Sequence, residues 1–263
     1  MASATRLYCF EGGTLRTQVQ ALKMNQGLGE PCEIPVQFFL IVHPAGNVLF
    51  DGGMALEVAH DARAHWGALC DSYEPVMTEQ QHCTHQLRAV GIDPAEIRFV
   101  LQSHLHPDHS GAIGHFPNAQ YIVQRRELAY AYTPDWFVRV GYTRADFDRD
   151  VPWMFLEGEQ DDGYDIFGDG ALQTFFAPGH ARGQTSLPVR LPSTGAILLC
   201  GDACYTRDYW EDRALPGLVD SARDAVASVY RLRRIADKHA ARVVFGHDSD
   251  EWSRLNHAPD FYD

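Results

Sequence analysis

Short apolar runs that end at a glycine or a small polar residue recur along the chain. The longest, residues 36–42 (VQFFLIV), is almost continuous in apolar, β-branched and aromatic side chains, which is typical of a strand buried on both faces. A turn at 43–47 separates it from residues 48–50, so the pattern predicts a hairpin. Comparable runs predict further strands at 6–10, 99–101, 121–123, 174–176, 187–191, 196–199 and 243–245.

Apolar side chains spaced three and four residues apart predict helices between several of these strands. The clearest helix covers residues 220–239, where Asp220 or Ser221 can cap the N-terminus. Shorter helices are predicted at 125–132 and at 86–90, the second ending near Gly91. The alternation of strands and helices predicts an α/β protein, and we expect residues 1–263 to form a single domain.

In two segments the apolar residues show neither the spacing of a helix nor that of a strand. Residues 11–35 are rich in glycine and polar side chains and are predicted to form a long loop. Residues 133–170 combine aromatic residues with an acidic stretch, which favours an inserted lid or flank over a part of the core.

The composition of the chain indicates which kinds of binding partner and which cellular location to expect. A net charge of −13 argues against nucleic acid or an anionic membrane as the main partner, since both attract Lys and Arg. No apolar stretch approaches the roughly 20 residues of a transmembrane helix, and the first ten residues lack the apolar run of a signal peptide. The six cysteines are irregularly spaced and predict reduced thiols, so we expect a cytoplasmic protein.

A histidine-rich loop follows the strand at 99–101. In extended backbone, residues two apart point the same way, so His104 and His106 can bind one metal ion. Asp108 and His109 follow Pro107, where the chain turns, and can face a second ion. A solvated histidine-rich turn is the alternative interpretation of this loop.

Three later strand ends repeat the pattern of a small residue followed by a metal-binding side chain, at His180, Asp202 and His247. Imidazole and carboxylate donors without thiolate suit Zn²⁺, with iron, cobalt and manganese as alternatives. Two metals about 3.5–4 Å apart need a bridging anionic ligand, for which Asp202 is the natural candidate.

The order His104-Leu-His106-Pro-Asp108-His109, Gly179-His180, Gly201-Asp202, Gly246-His247 resembles the metallo-β-lactamase superfamily. The resemblance implies an αββα sandwich, in which two mixed β-sheets are flanked by helices and the metals lie at one edge between the sheets. It also implies one metal on His104, His106 and His180, and the other on Asp108, His109 and His247. Asp202 would bridge them, and Asp51-Gly52-Gly53 resembles the superfamily's early strand-end motif.

Within the superfamily, Asp202-Ala-Cys204-Tyr205 resembles the Asp-x-x-Tyr of N-acyl-homoserine lactonases. Residues 103–106, 122–127 (IVQRRE), 178–186 and 246–248 also fit that branch, and 23–27 and 133–136 resemble lactonases that also accept γ-butyrolactone. The resemblance implies quorum-quenching hydrolysis of the lactone ring by a metal-bridging hydroxide. Tyr205 would help to stabilise the oxyanion, and Asp108 would carry the proton to the leaving alkoxide. Pro107 and Cys204 depart from the branch's usual residues.

Other functions on the same fold stay open at this point. A glyoxalase-II-like thioesterase or a β-lactamase would share most of the ligands, although Asp202 replaces the cysteine ligand of the second site in β-lactamases. Diiron oxidoreductases of this fold usually carry HxExD and a flavin domain, neither of which this sequence shows, and a non-catalytic relative would be expected to have lost ligands. The resemblance is compatible with a homodimer. Candidates for an acyl pocket, with the core as the alternative, are Met24, Trp66, Trp136 and Trp210.

Overall fold

The computed structural model describes residues 5–263. The first four of the ten N-terminal residues considered above for a signal peptide lie outside it. Its strands are β1 Arg6–Gln18, β2 Pro31–Val42, β3 Asn47–Phe50, β4 Glu74–Val76, β5 Ile97–Leu101, β6 Gln120–Gln124, β7 Trp153–Leu156, β8 Tyr164–Asp165, β9 Gln173–Phe176, β10 Thr185–Leu191, β11 Gly195–Leu199 and β12 Arg242–Val244. Its α-helices are α1 Val19–Leu22, α2 Leu56–Trp66, α3 Cys83–Ala89, α4 Arg125–Tyr132, α5 Arg144–Phe147, α6 Arg207–Trp210, α7 Ala222–His239 and α8 Ser249–Trp252.

These strands form two mixed sheets. The larger has the order β4-β1-β2-β3-β5-β6-β7, and the smaller has the order β12-β11-β10-β9-β8. Strands β3, β5, β6 and β7 run parallel to one another, as do β11 and β12, whereas the other paired strands are antiparallel.

Alternate residues of β2 explain why its run is apolar throughout. Phe39 and Ile41 face the smaller sheet, where they pack in one cluster with Leu187 and Ile197. Phe38 and Leu40 belong to the cluster on the opposite face, which includes residues of α3, α4 and α5. The outer face of the smaller sheet packs against α7. The layers therefore follow the order helix, sheet, sheet, helix, which confirms the αββα prediction.

The prediction of a long loop at residues 11–35 is wrong for most of the segment and holds only for residues 23–30, between α1 and β2. Strand β1 continues to Gln18 and β2 begins at Pro31, and the two pair as far as Gln18 opposite Pro31 across an irregularity between Glu11 and Thr14. Leu15 and Ile34 are buried in a cluster with residues of α2, so one face of this polar ribbon is covered. Tertiary packing has overridden the local glycine and polar signals here.

The interpretation of residues 133–170 as a lid or flank is wrong for part of the segment. Strand β7 extends the larger sheet parallel to β6, and β8 forms the edge of the smaller sheet. Both are short edge strands beside polar sequence, where the alternation is too brief to be recognised. Helices at 125–132 and 220–239 are confirmed, and Ser221 is the N-cap of α7. The helix expected at 86–90 begins earlier, at Cys83.

Within residues 5–263, none of the helices combines the length and the apolar character required to cross a lipid bilayer. The single-domain organisation of residues 1–263 stays a prediction.

Candidate metal centre

The seven predicted ligands converge where β5, β9, β11 and β12 end. Each strand leads into a loop that carries one or more of them, so the rigid sheets fix the starting points of all four loops. All seven residues are at most 9% exposed. They are His104, His106, Asp108, His109, His180, Asp202 and His247.

Three histidines form the first group. The Nε2 atom of His180 lies 2.8 Å from Nδ1 of His106 and 3.2 Å from Nε2 of His104. Burial, followed by repulsion from neighbouring histidines, holds the pKa of His104 and of His106 well below the usual range. These rings are therefore neutral at ordinary pH, and their nitrogen lone pairs are available to a cation between them.

A second group forms beside the first. The Oδ2 atom of Asp108 lies 3.5 Å from Nε2 of His109 and 3.7 Å from Nε2 of His247. The carboxylate of Asp202 lies between the two groups. Its Oδ2 is 3.3 Å from Nε2 of His180, and its Oδ1 is 3.3 Å from Nε2 of His247 and 3.4 Å from Nε2 of His109.

The donor atoms of both groups fit metal ions. The Nε2 of His109 and the Oδ1 of Asp202 are buried and have no hydrogen-bond partner in the described part of the chain. Burial raises the pKa of Asp202, but the opposing effects of His247, His109 and His180 are larger and hold it well below its usual value. A buried carboxylate among imidazole rings, with donor atoms lacking other partners, is the chemistry of a divalent-metal site.

The ring orientations are set by partners outside the two groups. Nδ1 of His109 lies 2.9 Å from Oδ2 of Asp51, and a hydrogen bond donated there leaves Nε2 of the neutral ring available to a metal ion. Nδ1 of His247 donates to the carbonyl of Pro35 over 2.9 Å. Nδ1 of His180 lies 3.2 Å from the carbonyl of Leu218 and 3.1 Å from the hydroxyl of Tyr205. Gly246 is required beside the centre, because a Cβ atom there would lie 2.7 Å from Oδ1 of Asp202.

An apolar cavity of about 40 Å³ opens onto both groups. Its wall includes Tyr205, Trp66 and Tyr73 beside Asp108 and Asp202. A second cavity, of about 250 Å³, shares Leu69, Tyr73, His106, Gly141 and Leu218 with the first. The remainder of its lining is mainly apolar and aromatic, with Tyr130, Phe137, Val138, Val140 and Tyr142.

Of the four candidates for an acyl pocket, the structure brings only Trp66 to the metal cavity. Met24 lines a surface groove that adjoins this cavity and shares Ala21, Tyr73 and Leu218 with it, and Trp136 is 82% exposed. Trp210 packs against Phe245 in the layer between the smaller sheet and α7, where an aromatic ring contributes to the core. Sequence reasoning missed Leu69, Tyr73, Tyr142 and Leu218, which lie in segments without a recognisable period.

Comparison with known proteins agrees with this arrangement. Residues 33–247 match the Metallo-beta-lactamase superfamily. This chain belongs to that superfamily. N-acyl homoserine lactonase AttM of Agrobacterium fabrum is 56% identical over 258 residues, which cover 98% of each chain. An N-acyl homoserine lactonase of Bacillus cereus is 28% identical and covers 94% of each chain.

The fold is also close to that of a solved superfamily member. An N-acyl homoserine lactone hydrolase, with the product N-hexanoyl-L-homoserine bound at its catalytic metal center, superposes with a TM-score of 0.88 at 26% identity. The match covers 98% of this chain and 99% of that one. The resemblance to the superfamily and to its lactonase branch is thus confirmed, as is the sandwich fold that it implied.

Proposed function

We propose that this chain is a metal-dependent hydrolase that opens the lactone ring of N-acyl homoserine lactones, with γ-butyrolactone as a further substrate. The observation that carries the proposal is the pair of ligand groups that share Asp202 beside an apolar cavity. The 56% identity to the AttM lactonase, over almost the whole of both chains, supports the choice of substrate class.

Two divalent ions, zinc being the first choice, fit the two groups. His104, His106 and His180 would hold one ion, and Asp108, His109 and His247 would hold the other, with Asp202 between them. The nitrogen and oxygen donors support zinc, and they also accommodate iron, cobalt or manganese. Such a pair of ions supplies an acidified water and a positive charge for the carbonyl oxygen.

Tyr205 is proposed to donate a hydrogen bond to the oxygen on which charge develops. Its side chain is 5% exposed and lines the metal cavity. Burial, and then the negative charge of Asp202, raise the pKa of Tyr205 well above its usual value, so that its hydroxyl stays protonated. A fixed donor in a site with little water stabilises a developing oxyanion more than it would in solution.

Asp108 is proposed to carry a proton to the leaving alkoxide. Its carboxylate lines the cavity next to Pro107 and reaches both rings of the second ligand group. A carboxylate at that position can accept the proton that the attacking water gives up and pass it to the oxygen of the leaving alkoxide.

The two cavities differ in size, which suits the two parts of an acylated lactone. The small cavity would admit the reacting carbonyl end of the ring beside the ligands, and the larger one, which shares Leu69 and Tyr73 with it, would receive the acyl chain. Apolar side chains dominate both linings, so burial of the chain would contribute about 0.8 kcal/mol for each methylene group.

The test is a substrate panel on metal-loaded protein, from γ-butyrolactone to long-chain acyl-homoserine lactones, with thioesters and a β-lactam included. Metal content is measured on the same sample. We expect the lactones to be hydrolysed fastest. Faster turnover of thioesters would support the glyoxalase-II-like alternative instead.

Variants test the two side-chain roles. Turnover that is unchanged in Asp108→Asn would remove the proton-transfer role. A loss of tenfold or less in Tyr205→Phe would limit the contribution of that hydroxyl to about 1.4 kcal/mol. Tyr209→Phe is the matched control, because the Tyr209 hydroxyl is also buried and has no partner among the described residues, but lies in the layer beneath α7. We expect Tyr209→Phe to keep full activity.

We also propose a cytoplasmic location and a homodimer. The six cysteines are all free thiols, which fits a reducing compartment. Light scattering of the purified protein would test the homodimer, which a monomeric mass would exclude.

A further inference from the structure

The segment Ile122-Val-Gln-Arg-Arg-Glu127 fitted the lactonase branch, but neither metal ligation nor proton transfer uses it. Glu127 lies in the first turn of α4 and is completely buried. Burial raises the pKa of its carboxyl group above the usual value. Among the described residues, no lysine, arginine or histidine forms an ion pair with it. A buried carboxylate of this kind costs stability, so its hydrogen bonds indicate what it does.

Those hydrogen bonds connect two separate ligand loops. Oε1 of Glu127 accepts from the backbone N–H of Leu105 over 3.1 Å, and Oε2 accepts from the backbone N–H of Gly183 over 2.7 Å. Leu105 stands between His104 and His106, and Gly183 follows His180 by three residues. One carboxylate therefore contacts the backbone of both loops that supply the three-histidine group.

The second of these loops is pressed against α4. A Cβ atom at Gly183 would lie 2.2 Å from Cβ of Glu127, so no other residue fits without movement of the loop or the helix. The hydroxyl of Tyr142 donates a third hydrogen bond to Oε1 over 3.2 Å, and its ring lies edge-on to His106 at 4.9 Å. The carboxylate thus sits at the junction of α4, the two loops and the wall of the larger cavity.

We propose that Glu127 is a positioning residue, which holds the His104–His106 loop and the His180 loop at the separation that the three-histidine group requires. The inference rests on the proposed metal centre. A carboxylate suits this role because its two oxygens can each accept from one loop. A glutamine side chain has a single acceptor oxygen, and its amide group would face the N–H of the other loop.

The positioning effect is specific to one of the two ligand groups. His109 is oriented by Asp51, and His247 by the carbonyl of Pro35. Neither contact involves Glu127, so disturbing Glu127 should weaken the three-histidine group and spare the second group.

The experiment compares Glu127→Gln with Asp146→Asn in otherwise wild-type protein. Asp146 is a matched control because it is also a buried carboxylate, but its partners are His65 and the hydroxyl of Ser110. The affinity for each of two zinc ions is measured by competition with a chromophoric chelator. The visible spectrum of the cobalt-substituted proteins reports the ligand environment, and circular dichroism reports folding.

We expect Glu127→Gln to lose about 10- to 100-fold in affinity for one ion and to keep wild-type affinity for the other. The cobalt spectrum should change for the weakened site alone. Asp146→Asn should not reproduce this selective loss. Tyr142→Phe, which keeps both backbone hydrogen bonds, should bind both ions almost as wild type does.

Two results would overturn the inference: wild-type affinity for both ions in Glu127→Gln, or the same loss in Asp146→Asn, which would indicate general destabilisation. If Glu127→Gln does not fold, Glu127→Asp is measured in its place, because the shorter carboxylate reaches only one loop. Binding of both ions by Glu127→Asp as in wild type would equally refute the role. Failure of wild-type protein to bind two ions would instead contradict the proposed centre itself.

Discussion

Replacing Asp51 with asparagine should weaken metal binding through the orientation of His109. Asp51 is 2% exposed, and its carboxylate accepts three hydrogen bonds. Oδ1 accepts from the backbone N–H of Ser103 over 2.7 Å, and Oδ2 accepts from the Ser103 hydroxyl over 2.7 Å and from Nδ1 of His109 over 2.9 Å. Asparagine would keep the shape of this side chain but has only one acceptor oxygen.

Both orientations of the new amide are unfavourable. If its oxygen stays with the backbone N–H of Ser103, its NH₂ faces Nδ1 of His109, and the imidazole must carry its proton on Nε2 to accept. Nε2 would then be unable to bind a metal. If the amide is flipped, the buried N–H of Ser103 loses its acceptor. Each conflict costs about 1–3 kcal/mol, which corresponds to a factor of roughly 5 to 150 in metal affinity.

The assay is zinc competition against a chelator, with circular dichroism to establish that Asp51→Asn is folded. Ser103→Ala is compared in parallel, because it leaves His109 with its acceptor but removes the hydroxyl that lies 3.0 Å from Nδ1 of His104. We expect Asp51→Asn to weaken the ion held by the His109 group, whereas any loss in Ser103→Ala should fall on the ion held by the His104 group. A folded Asp51→Asn protein that binds both ions as tightly as wild type would refute the reasoning.

Three further predictions concern stability. Removing metal with a chelator should lower Tm, and free zinc at about 100 times its Kd should restore about 2.7 kcal/mol for each site, measurable by calorimetry. The hydrogen bond from His65 to Asp146 (2.6 Å) raises the pKa of His65 above its usual value of 6.5. The pair therefore stabilises the fold fully below pH 6.5, and this contribution is lost as the pH rises through the raised pKa of His65. The Tm advantage of wild type over His65→Gln should therefore shrink between about pH 6 and about pH 9, and a constant difference would exclude the effect. Leu101→Ala, at a fully buried position between the sheets, should cost about 2–5 kcal/mol in thermal unfolding without removing a ligand.

The strands that lead to the site could be predicted from sequence because their signals are local. Residues 36–42 are apolar throughout since β2 is covered on both faces, and the small residues before His180, Asp202 and His247 mark strand ends. The polar halves of β1 and β2 could not be recognised in this way. They become strands only because they pair with each other and because Leu15 and Ile34 reach a cluster that α2 completes.

The cavity lining was harder to predict than the ligands. Metal ligands share a chemistry that few other residues offer, so their spacing is informative by itself. An aromatic residue can serve either the core or a pocket, and Trp210 and Trp66 look alike in sequence. The structure separates them, because Trp210 meets Phe245 beneath α7 whereas Trp66 lies at the end of α2, beside Asp108 and Tyr205.

The least predictable part of the site is the pair of buried carboxylates that accept hydrogen bonds from the ligand loops. Asp51 and Glu127 each lie far in sequence from at least one group they contact, so no spacing reveals these hydrogen bonds. Burial raises the pKa of both, and each therefore opposes folding when ionised. The apolar layers between and outside the sheets must offset that cost. In return, the ligand loops are held by backbone and ring hydrogen bonds that do not involve a metal ion, so much of the ligand geometry is fixed by the fold before metal binds.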